Sequence, residues 1–536
     1  MSDTFALPLG KPQSAINPWL IAIAVVVPTF MEVLDTTIAN VALRYIAGGL
    51  SSAETDSEWV ITSYLAANAI VLTISGWLTT RLGRRNYFLM SIVVFTIASG
   101  LCGIATSLPQ IILFLVIQGL AGGGLQPSSQ AILIDSFPQD KQGTAMSVFG
   151  IAALIGPIVG PTLGGWLVVN YDWRWIFYIN LPIGLFAFAT SYILVRDPQY
   201  LTEEKERLRS RPLNFDYIGF SLLTLLVSCW EVVLSKGQEW DWLSDPFWRV
   251  QSLVGAFALA LAFFIVRALR SKNPLVDLRV LANRNLAVSV AVLFSSFCVL
   301  YAASIALPSM LQTLFGYDAY QAGLVLSPGG ISSITMLLIV SVCLRKGVDA
   351  RYLIAMGLVV LAASNYWMSH LNLSVSPSHV IWPRMVLTAG LGLIFAPINV
   401  AAYMYVPQHL RGSAIALASL LRNEGGSVGV SMSQTIRERR DQFHLQRQNE
   451  FIDVLNPYMN SFSEQSTVFF YHFNGDHAAS EKLALQALDT LRQQQALSLA
   501  YFDVFWLAAV IGISLVPLVF LMKRTIATKR QHLAAD

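Results

Sequence analysis

Apolar stretches of roughly bilayer length follow one another along almost the whole chain, and short polar turns separate most of them. This pattern predicts a polytopic, all-α membrane protein. Fourteen spans can be delimited, numbered here in chain order: 17–43, 57–80, 86–107, 109–134, 142–169, 174–195, 215–235, 247–269, 285–313, 319–344, 350–370, 379–404, 411–435 and 500–522. An even number of spans places both termini on one side of the membrane.

Lysine and arginine indicate which side that is. Most of the 35 lysines and arginines lie in turns on the side of the termini, whereas the short turns on the other side hold only Arg44, Arg174, Lys236 and Arg249. Cytoplasmic turns carry the excess of positive charge in membrane proteins. Both termini are therefore predicted to be cytoplasmic, and the long segment 436–499 to lie on the periplasmic side.

The two ends of the chain repeat each other. Basic turns, TTRLGRRNYFLM after span 2 and CLRKGVDARYLIAM after span 10, lead directly into apolar helices. Spaced glycines precede Pro127 in span 4 and Pro397 in span 12. If these features correspond, spans 1–6 match spans 9–14, and spans 7 and 8 are an inserted pair. The predicted 6+2+6 plan has an N-terminal bundle over 1–195, a connector with two helices over 196–284, and a C-terminal bundle over 285–536.

Composition agrees with a membrane protein and narrows its chemistry. The chain is 55% hydrophobic and only 12% charged, about half the charged fraction of a soluble domain. All four cysteines lie in apolar spans and no histidine lies in the middle of one, so we expect neither a disulfide framework nor a metal site. No G-x-x-x-x-G-K-S/T motif is present, which argues against direct use of ATP. We expect no cofactor and no nucleic-acid partner.

Two acidic residues lie inside the first span. Glu32 and Asp35 are three residues apart, so on a helix they share one face. A charge at membrane depth is costly unless it faces a protein interior or a water-filled cavity, and such residues mark transport routes and proton relays. We interpret the pair as a proton-coupling site; solvation at the membrane surface is the alternative.

Further charged residues lie in the later spans. Arg422 and Glu424 in span 13 are two residues apart and point to different faces of one helix, so they need separate partners. Arg384 in span 12 could pair with the acids or with a substrate anion, or could extend to the outer surface. Glu231, near the outer end of span 7, is expected to face water.

Two polar stretches interrupt the apolar pattern, the charged connector Arg196–Asn214 and the segment 436–499. In the second, Leu485, Leu488 and Leu491 recur at helical spacing. Such an amphipathic helix either rests on the bilayer or the protein, or forms a docking surface for a partner.

Span 5 contains GIAALIGPIVGPTLGGWL, in which small residues at every fourth position allow close helix packing. This segment resembles the antiporter motif of the major facilitator superfamily. Its motif residues are Gly156, Pro157, Gly160, Pro161, Gly164 and Gly165. The segment GWLTTRLGRRNYFL resembles the superfamily's motif between spans 2 and 3. The residues of that motif are Gly76, Arg81, Gly83, Arg84 and Arg85.

Other segments are similar to the fourteen-helix drug:proton antiporters of this superfamily, and most of all to EmrB-type pumps. They include LDTTIANVAL, WRWIFYINLPIG and LLRNEGGSVGV. The resemblance implies a major facilitator fold and proton-driven export of amphipathic drugs or other toxic hydrophobic compounds across the cell inner membrane. It also implies a periplasmic adaptor (membrane fusion) protein and an outer-membrane channel as partners. A proton-coupled uptake symporter and a membrane-embedded lipid-modifying enzyme are the alternatives.

The chain departs from this family's pattern at several positions. Thr80 stands where an acidic residue is common, and Leu115 where an arginine tied to proton coupling is usual. Glu424 replaces an apolar residue, which indicates either a rearranged proton relay or structural compensation. Asp35 is the predicted principal coupling acid, with Glu32 and Glu424 beside it. The residues predicted to line the substrate cavity are Asn40, Tyr64, Gln118, Gln126, Tyr301, Asn399 and Tyr403.

Overall fold

The computed structural model describes residues 17–52, 54–138, 141–197, 216–271, 274, 276–373, 376–407, 410–450, 452 and 456–525. Within these ranges every regular element is an α-helix or a short 3-10 helix, which confirms the all-α class. Most of the charged connector Arg196–Asn214 and both ends of the chain lie outside the described residues.

The described helices fall into three consecutive groups. The first contains α1 (Pro18–Gly49), α2 (Glu54–Leu82), α3 (Arg84–Gly103), α4 (Leu108–Gly122), α5 (Leu125–Ser136), α6 (Gln142–Asn170), α7 (Trp175–Tyr178) and α8 (Asn180–Leu194). The second contains α9 (Tyr217–Lys236) and α10 (Arg249–Arg270). The third contains α11 (Arg284–Leu314), α12 (Ala319–Leu326), α13 (Pro328–Arg345), α14 (Ala350–Met368), α15 (Pro377–Tyr403), α16 (Arg411–Asn449), α17 (Pro457–Asn474), α18 (His477–Ser514) and α19 (Val516–Val519).

Two spans predicted as single helices are broken. Span 4 divides into α4 and α5 at Gly123 and Gly124. A Cβ atom on Gly123 would collide with the carbonyl oxygen of Asn68 in α2, so the glycine allows the two backbones to touch. Span 10 divides into α12 and α13 at Ser327, because the following Pro328 has no N–H to continue the hydrogen-bond ladder.

Two helices run past the predicted ends of their spans. Span 13 was expected to end at 435, but α16 continues to Asn449, and α18 begins at His477, well before span 14. Arg440 of α16 donates to the Asp503 carboxylate of α18 at 2.5 Å, and α17 packs on α18. In its described part, the segment 436–499 is therefore a helical extension rather than a loop.

The two halves of the chain meet along two seams. α6 packs against α12 and α13, and α2 packs against α16. On the first seam, Ser341 donates to the Thr144 hydroxyl at 2.9 Å, while Gly323 lies against Thr162 near the other end of α6. The first seam is thus in contact near both ends of α6.

The second group of helices lies beside the second seam. α9 contacts α2, α16 and α10. The rings of Trp230 and Phe257 stack at 5.0 Å and join α9 to α10. Leu259, Phe263 and Val266 of α10 are exposed, as side chains that face lipid would be. The pair therefore packs on the outside of α2 and α16.

Eleven of the described helices are long and apolar enough to cross a membrane. The helices of spans 5, 11 and 13 are not among these eleven. In the helix of span 13, Arg422, Glu424 and several glycines and serines lower the mean hydropathy. The count of fourteen spans stays a prediction.

Candidate functional site

Glu32 and Asp35 lie on the inner face of α1, near the middle of the N-terminal helices. Their side chains are only 2% and 5% exposed. The alternative interpretation, in which both are solvated at the surface, is therefore wrong. A buried carboxyl needs hydrogen-bond partners, and each of these two has its own set.

Asp35 is held entirely by the N-terminal half. Gln118 of α4 donates to Oδ2 at 2.8 Å, and Asn180 of α8 donates to Oδ1 at 2.6 Å. The same Asn180 amide also donates to the Ser99 hydroxyl at 3.0 Å, and Ser99 donates to the Phe177 carbonyl at 2.9 Å. Four different helices thus fix one carboxyl.

Glu32 is held by amides that also reach the C-terminal half. Asn68 of α2 donates to Oε1 at 3.1 Å, and Gln126 of α5 donates to Oε2. The Asn68 amide oxygen accepts a hydrogen bond from Asn423 at 3.2 Å, and the Gln126 amide oxygen accepts one from Arg422. Both partners of Glu32 are therefore bonded to consecutive residues of α16, across the second seam.

Tyrosines surround this network. A Cβ atom on Gly122 would lie 2.8 Å from the Tyr64 hydroxyl and 3.4 Å from Glu32 Cγ, which places the ring beside the carboxyl. Tyr301 and Tyr403 lie within electrostatic range of Arg422, whose guanidinium stands 5.6 Å from the centre of the Phe297 ring. Positive charge over an aromatic face is a favourable contact.

Two predicted cavity residues are placed differently. Asn399 donates to the Phe395 carbonyl of its own helix at 2.6 Å, so its side chain is engaged within α15. The side chain of Asn40 lies outside the described part of the structure.

The comparisons with known proteins agree with this geometry. The sequence signature of the Major Facilitator Superfamily matches residues 26–430, which contain the whole network. The chain belongs to the major facilitator superfamily. It is similar to the multidrug export protein EmrB of Escherichia coli strain K12, with 31% identity over 517 residues that cover 96% of this chain and 97% of the relative. The fatty acid resistance protein FarB of Neisseria gonorrhoeae is 32% identical over 498 residues, which cover 92% and 94%.

A solved structure supports the superfamily fold. A double tryptophan mutant of XylE covers 95% of this chain and 97% of its own, with a TM-score of 0.61 at 13% identity, so the likeness concerns the fold alone. The family membership inferred from the motifs is thus confirmed. The chain is a multi-pass membrane transporter of small molecules and not an enzyme.

The superfamily motif between spans 2 and 3 lies in a tight turn. Gly83 adopts a φ of 87°, a conformation that favours glycine. Arg84 forms an ion pair with Asp135 of α5, and the backbone N–H of Arg85 donates to Asp197 at 2.7 Å. The turn is thereby tied to the ends of α5 and α8.

Two further residues of this motif belong to α2. Arg81 lies in its last turn. A Cβ atom on Gly76 would lie 3.8 Å from the backbone of Gly412, so the two helices approach closely at this end of the second seam.

The superfamily motif of span 5 lies against α1. A Cβ atom on Gly156 would be 2.5 Å from Val33 Cγ1, and one on Gly160 would collide with Thr37. Thr37 donates to the Gly156 carbonyl at 3.2 Å. The other motif residues are Gly164, which packs against Ile38, together with Pro161, Gly165 and Pro157, whose side chain is outside the described part. This contact sets the position of the helix that carries both acids.

Arg384 neither reaches the surface nor joins the network. Its side chain is 0% exposed, and Nη2 donates to the Ser304 hydroxyl at 3.2 Å. Nε and Nη1 have no hydrogen-bond partner among the described residues. Extension to the outer surface is therefore wrong, because α11 and α13 enclose this part of α15 through Ser304 and Gly329.

The expectation that Glu231 faces water is also wrong. Its side chain is 2% exposed, and Oε1 accepts a hydrogen bond from Ser427 at 2.9 Å. An acid near a helix end is enclosed here because α9 packs against α16. Glu424 lies at the same interface, on another face of α16 than Arg422, and is separate from Glu32 and Asp35.

Several polar residues of the network were not predicted from the sequence, namely Asn68, Ser99, Asn180 and Asn423. Asn68 is the only amide in span 2, and Asn180 lies within the segment YINLPIG. A polar side chain in the middle of an apolar span is the signal that could have identified them. Their contacts join residues far apart in sequence, which no local pattern reveals.

Proposed function

We propose that this transporter is a proton-driven antiporter that exports amphipathic compounds from the cytoplasm. The observation that carries the proposal is the position of Glu32. Its two amide partners, Asn68 and Gln126, are bonded to neighbouring residues of the opposite half, so its surroundings depend on how the halves are arranged.

The two acids have different roles in this mechanism. Burial disfavours the charged form of a carboxyl, and donated hydrogen bonds favour it. Asp35 keeps its donors whatever the C-terminal half does, and it is the principal proton-carrying acid. Glu32 exchanges its partners when α16 moves away from α2 and α5, and it makes proton binding depend on the state of the transporter. Superfamily members of this kind alternate by rocking one half against the other.

The direction and range of transport are proposed from the relatives. Full-length relatives are named as a multidrug export protein and a fatty acid resistance protein, which supports export of hydrophobic compounds. In the proposed topology fourteen spans cross the inner membrane and both termini are cytoplasmic. The helical extension within 436–499 then faces the periplasm, where an adaptor protein and an outer-membrane channel would complete the export route.

Proteoliposomes with an imposed pH difference test the proposal. Wild-type protein is expected to accumulate an amphipathic dye against its gradient, and Asp35→Asn to bind the dye but lose accumulation. Asp172→Asn is the matched control, because this exposed loop carboxyl pairs only with Arg174 at 3.4 Å. Accumulation by Asp35→Asn equal to that of the control would remove Asp35 from the coupling role.

A further inference from the structure

A second pair of acids is buried between α9 and α16. Glu424 is 7% exposed, and neither of its carboxyl oxygens has a hydrogen-bond partner among the described residues. Glu231 is its nearest acidic influence, and Glu231 itself accepts one hydrogen bond, from the Ser427 hydroxyl of α16. Two carboxyls therefore share one water-poor interface with a single hydroxyl donor between them.

No positive charge on the described neighbouring helices offsets this pair. α10 has no charged residue between Arg249 and Arg267, α2 has none between Glu58 and Arg81, and α11 has none after Arg284. The other charged groups on the surrounding elements are engaged elsewhere: Lys236 with Glu239, Arg422 with Gln126, Arg384 with Ser304, Asp135 with Arg84 and Asp503 with Arg440.

Two ionised carboxylates are not stable together in such a place. Their mutual repulsion adds to the cost of burying each charge, so at least one of them must bind a cation. The interface supplies no ring of carbonyl or amide oxygens around the pair beyond the Ser427 hydroxyl, which disfavours a metal cation. A proton needs only the two carboxyls, because the protonated acid donates to its partner.

We propose that Glu231 and Glu424 hold one shared proton and form a second proton-binding site of the transporter. This inference rests on the proposed proton-driven export, and it assigns the inserted helix α9 a part in that process. On loading, one proton from water forms an O–H bond with a carboxylate oxygen of the pair. On release that bond breaks, the proton returns to water, and both carboxylates are hydrated and ionised.

The second site is linked to the first by α16. Arg422 bonds to Gln126 on one face of this helix, and Glu424 and Ser427 meet Glu231 on another. When α16 moves with the C-terminal half, it alters the partners of Glu32 and the spacing of Glu231 and Glu424 together. One helix movement therefore changes proton binding at both sites.

Infrared spectra of the full-length protein in lipid nanodiscs test this inference. Protonated carboxyls absorb separately from carboxylates, and the buffer at pH 7 contains N-methylglucamine as its only cation. Glu231→Gln and Glu424→Gln are each expected to remove the same part of the protonated-carboxyl absorbance, and the double variant no more than either. Glu481→Gln, the same change at an exposed site, should remove none.

Several results would overturn the inference. They are unchanged absorbance in both single variants, losses that add in the double variant, or loss of the wild-type band when sodium or potassium replaces N-methylglucamine. Each single variant probes the same proton from a different helix, so failure of one to fold leaves the other decisive. The proposed export mechanism fails separately, through Asp35→Asn in proteoliposomes, and that result leaves the infrared test of Glu231 and Glu424 intact.

Discussion

Glu32 and Asp35 are one helical turn apart, yet their hydrogen-bond partners belong to different parts of the molecule. Asp35 is bonded within the N-terminal half, whereas both amides on Glu32 are bonded to α16. The amide of Gln126 is the critical link, because it donates to a carboxylate and accepts from a guanidinium at once. Hydrogen bonds that involve charged groups are stronger than neutral ones.

Replacing Gln126 tests this link at the scale of one side chain. Gln126→Leu leaves both Glu32 and Arg422 short of a partner, and we expect the substrate concentration for half-maximal transport to rise about tenfold, from the loss of roughly 1.5 kcal/mol. Gln130→Leu is the control on the same helix, since the Gln130 amide is buried without a partner among the described residues. Equal effects of the two changes in proteoliposomes would show that burial, not the link, matters.

The sequence predicts which residues carry charge but not what surrounds them. The shared face of Glu32 and Asp35 follows from a spacing of three residues, which is a local property. The burial of Glu231 is not local, since an acid near the end of a span looks the same whether water or a neighbouring helix covers it. Likewise, Asn180 reaches Asp35 across 145 positions of the chain.

At the scale of elements, the position of α1 depends on its contact with α6. Gly156 and Gly160 leave room for Val33 and Thr37, and the acids lie on the adjacent face of α1. The glycine spacing in span 5 predicts this close packing correctly. It does not indicate which helix is the partner, because small residues allow approach without selecting a surface.

A single methyl group at Gly160 is expected to disturb this contact. Gly160→Ala places a Cβ atom against Thr37, and overpacking of this kind costs typically about 1–3 kcal/mol. We expect a lower midpoint of thermal unfolding in detergent, with partial recovery in the double variant Gly160→Ala/Thr37→Ala. Gly255→Ala on α10, where nothing lies within 4 Å of the new atom, should leave the midpoint unchanged. A midpoint equally unchanged in Gly160→Ala would contradict the packing.

At the scale of the whole molecule, two halves enclose the network and a helical extension rises from one of them. The apolar spans, the repeat and the charged turns predict the superfamily fold from sequence. The extension could not be foreseen, because polar residues after 435 end the apolar pattern without ending the helix. The described part of 436–499 therefore forms a rigid projection of α16, α17 and α18 rather than a mobile loop.

Shortening the projection separates transport from partner binding. Asn449 and Arg492 are hydrogen-bonded across the extension, so a short Gly-Ser turn can replace residues 452–490 with α16 and α18 still paired. We expect this variant to transport in proteoliposomes but to confer no drug resistance on an intact Gram-negative cell. Full resistance in the cell would show that the projection is not needed for an adaptor.

The central claim is that substrate binding and proton binding are linked through Asp35 and Glu32. The most direct measurement is proton release from purified protein in weakly buffered detergent solution when substrate is added. We predict release of about one proton per bound substrate from the wild type, none from Asp35→Asn, and a reduced amount from Glu32→Gln. Proton release from Asp35→Asn equal to that of the wild type, with substrate still bound, would contradict the account.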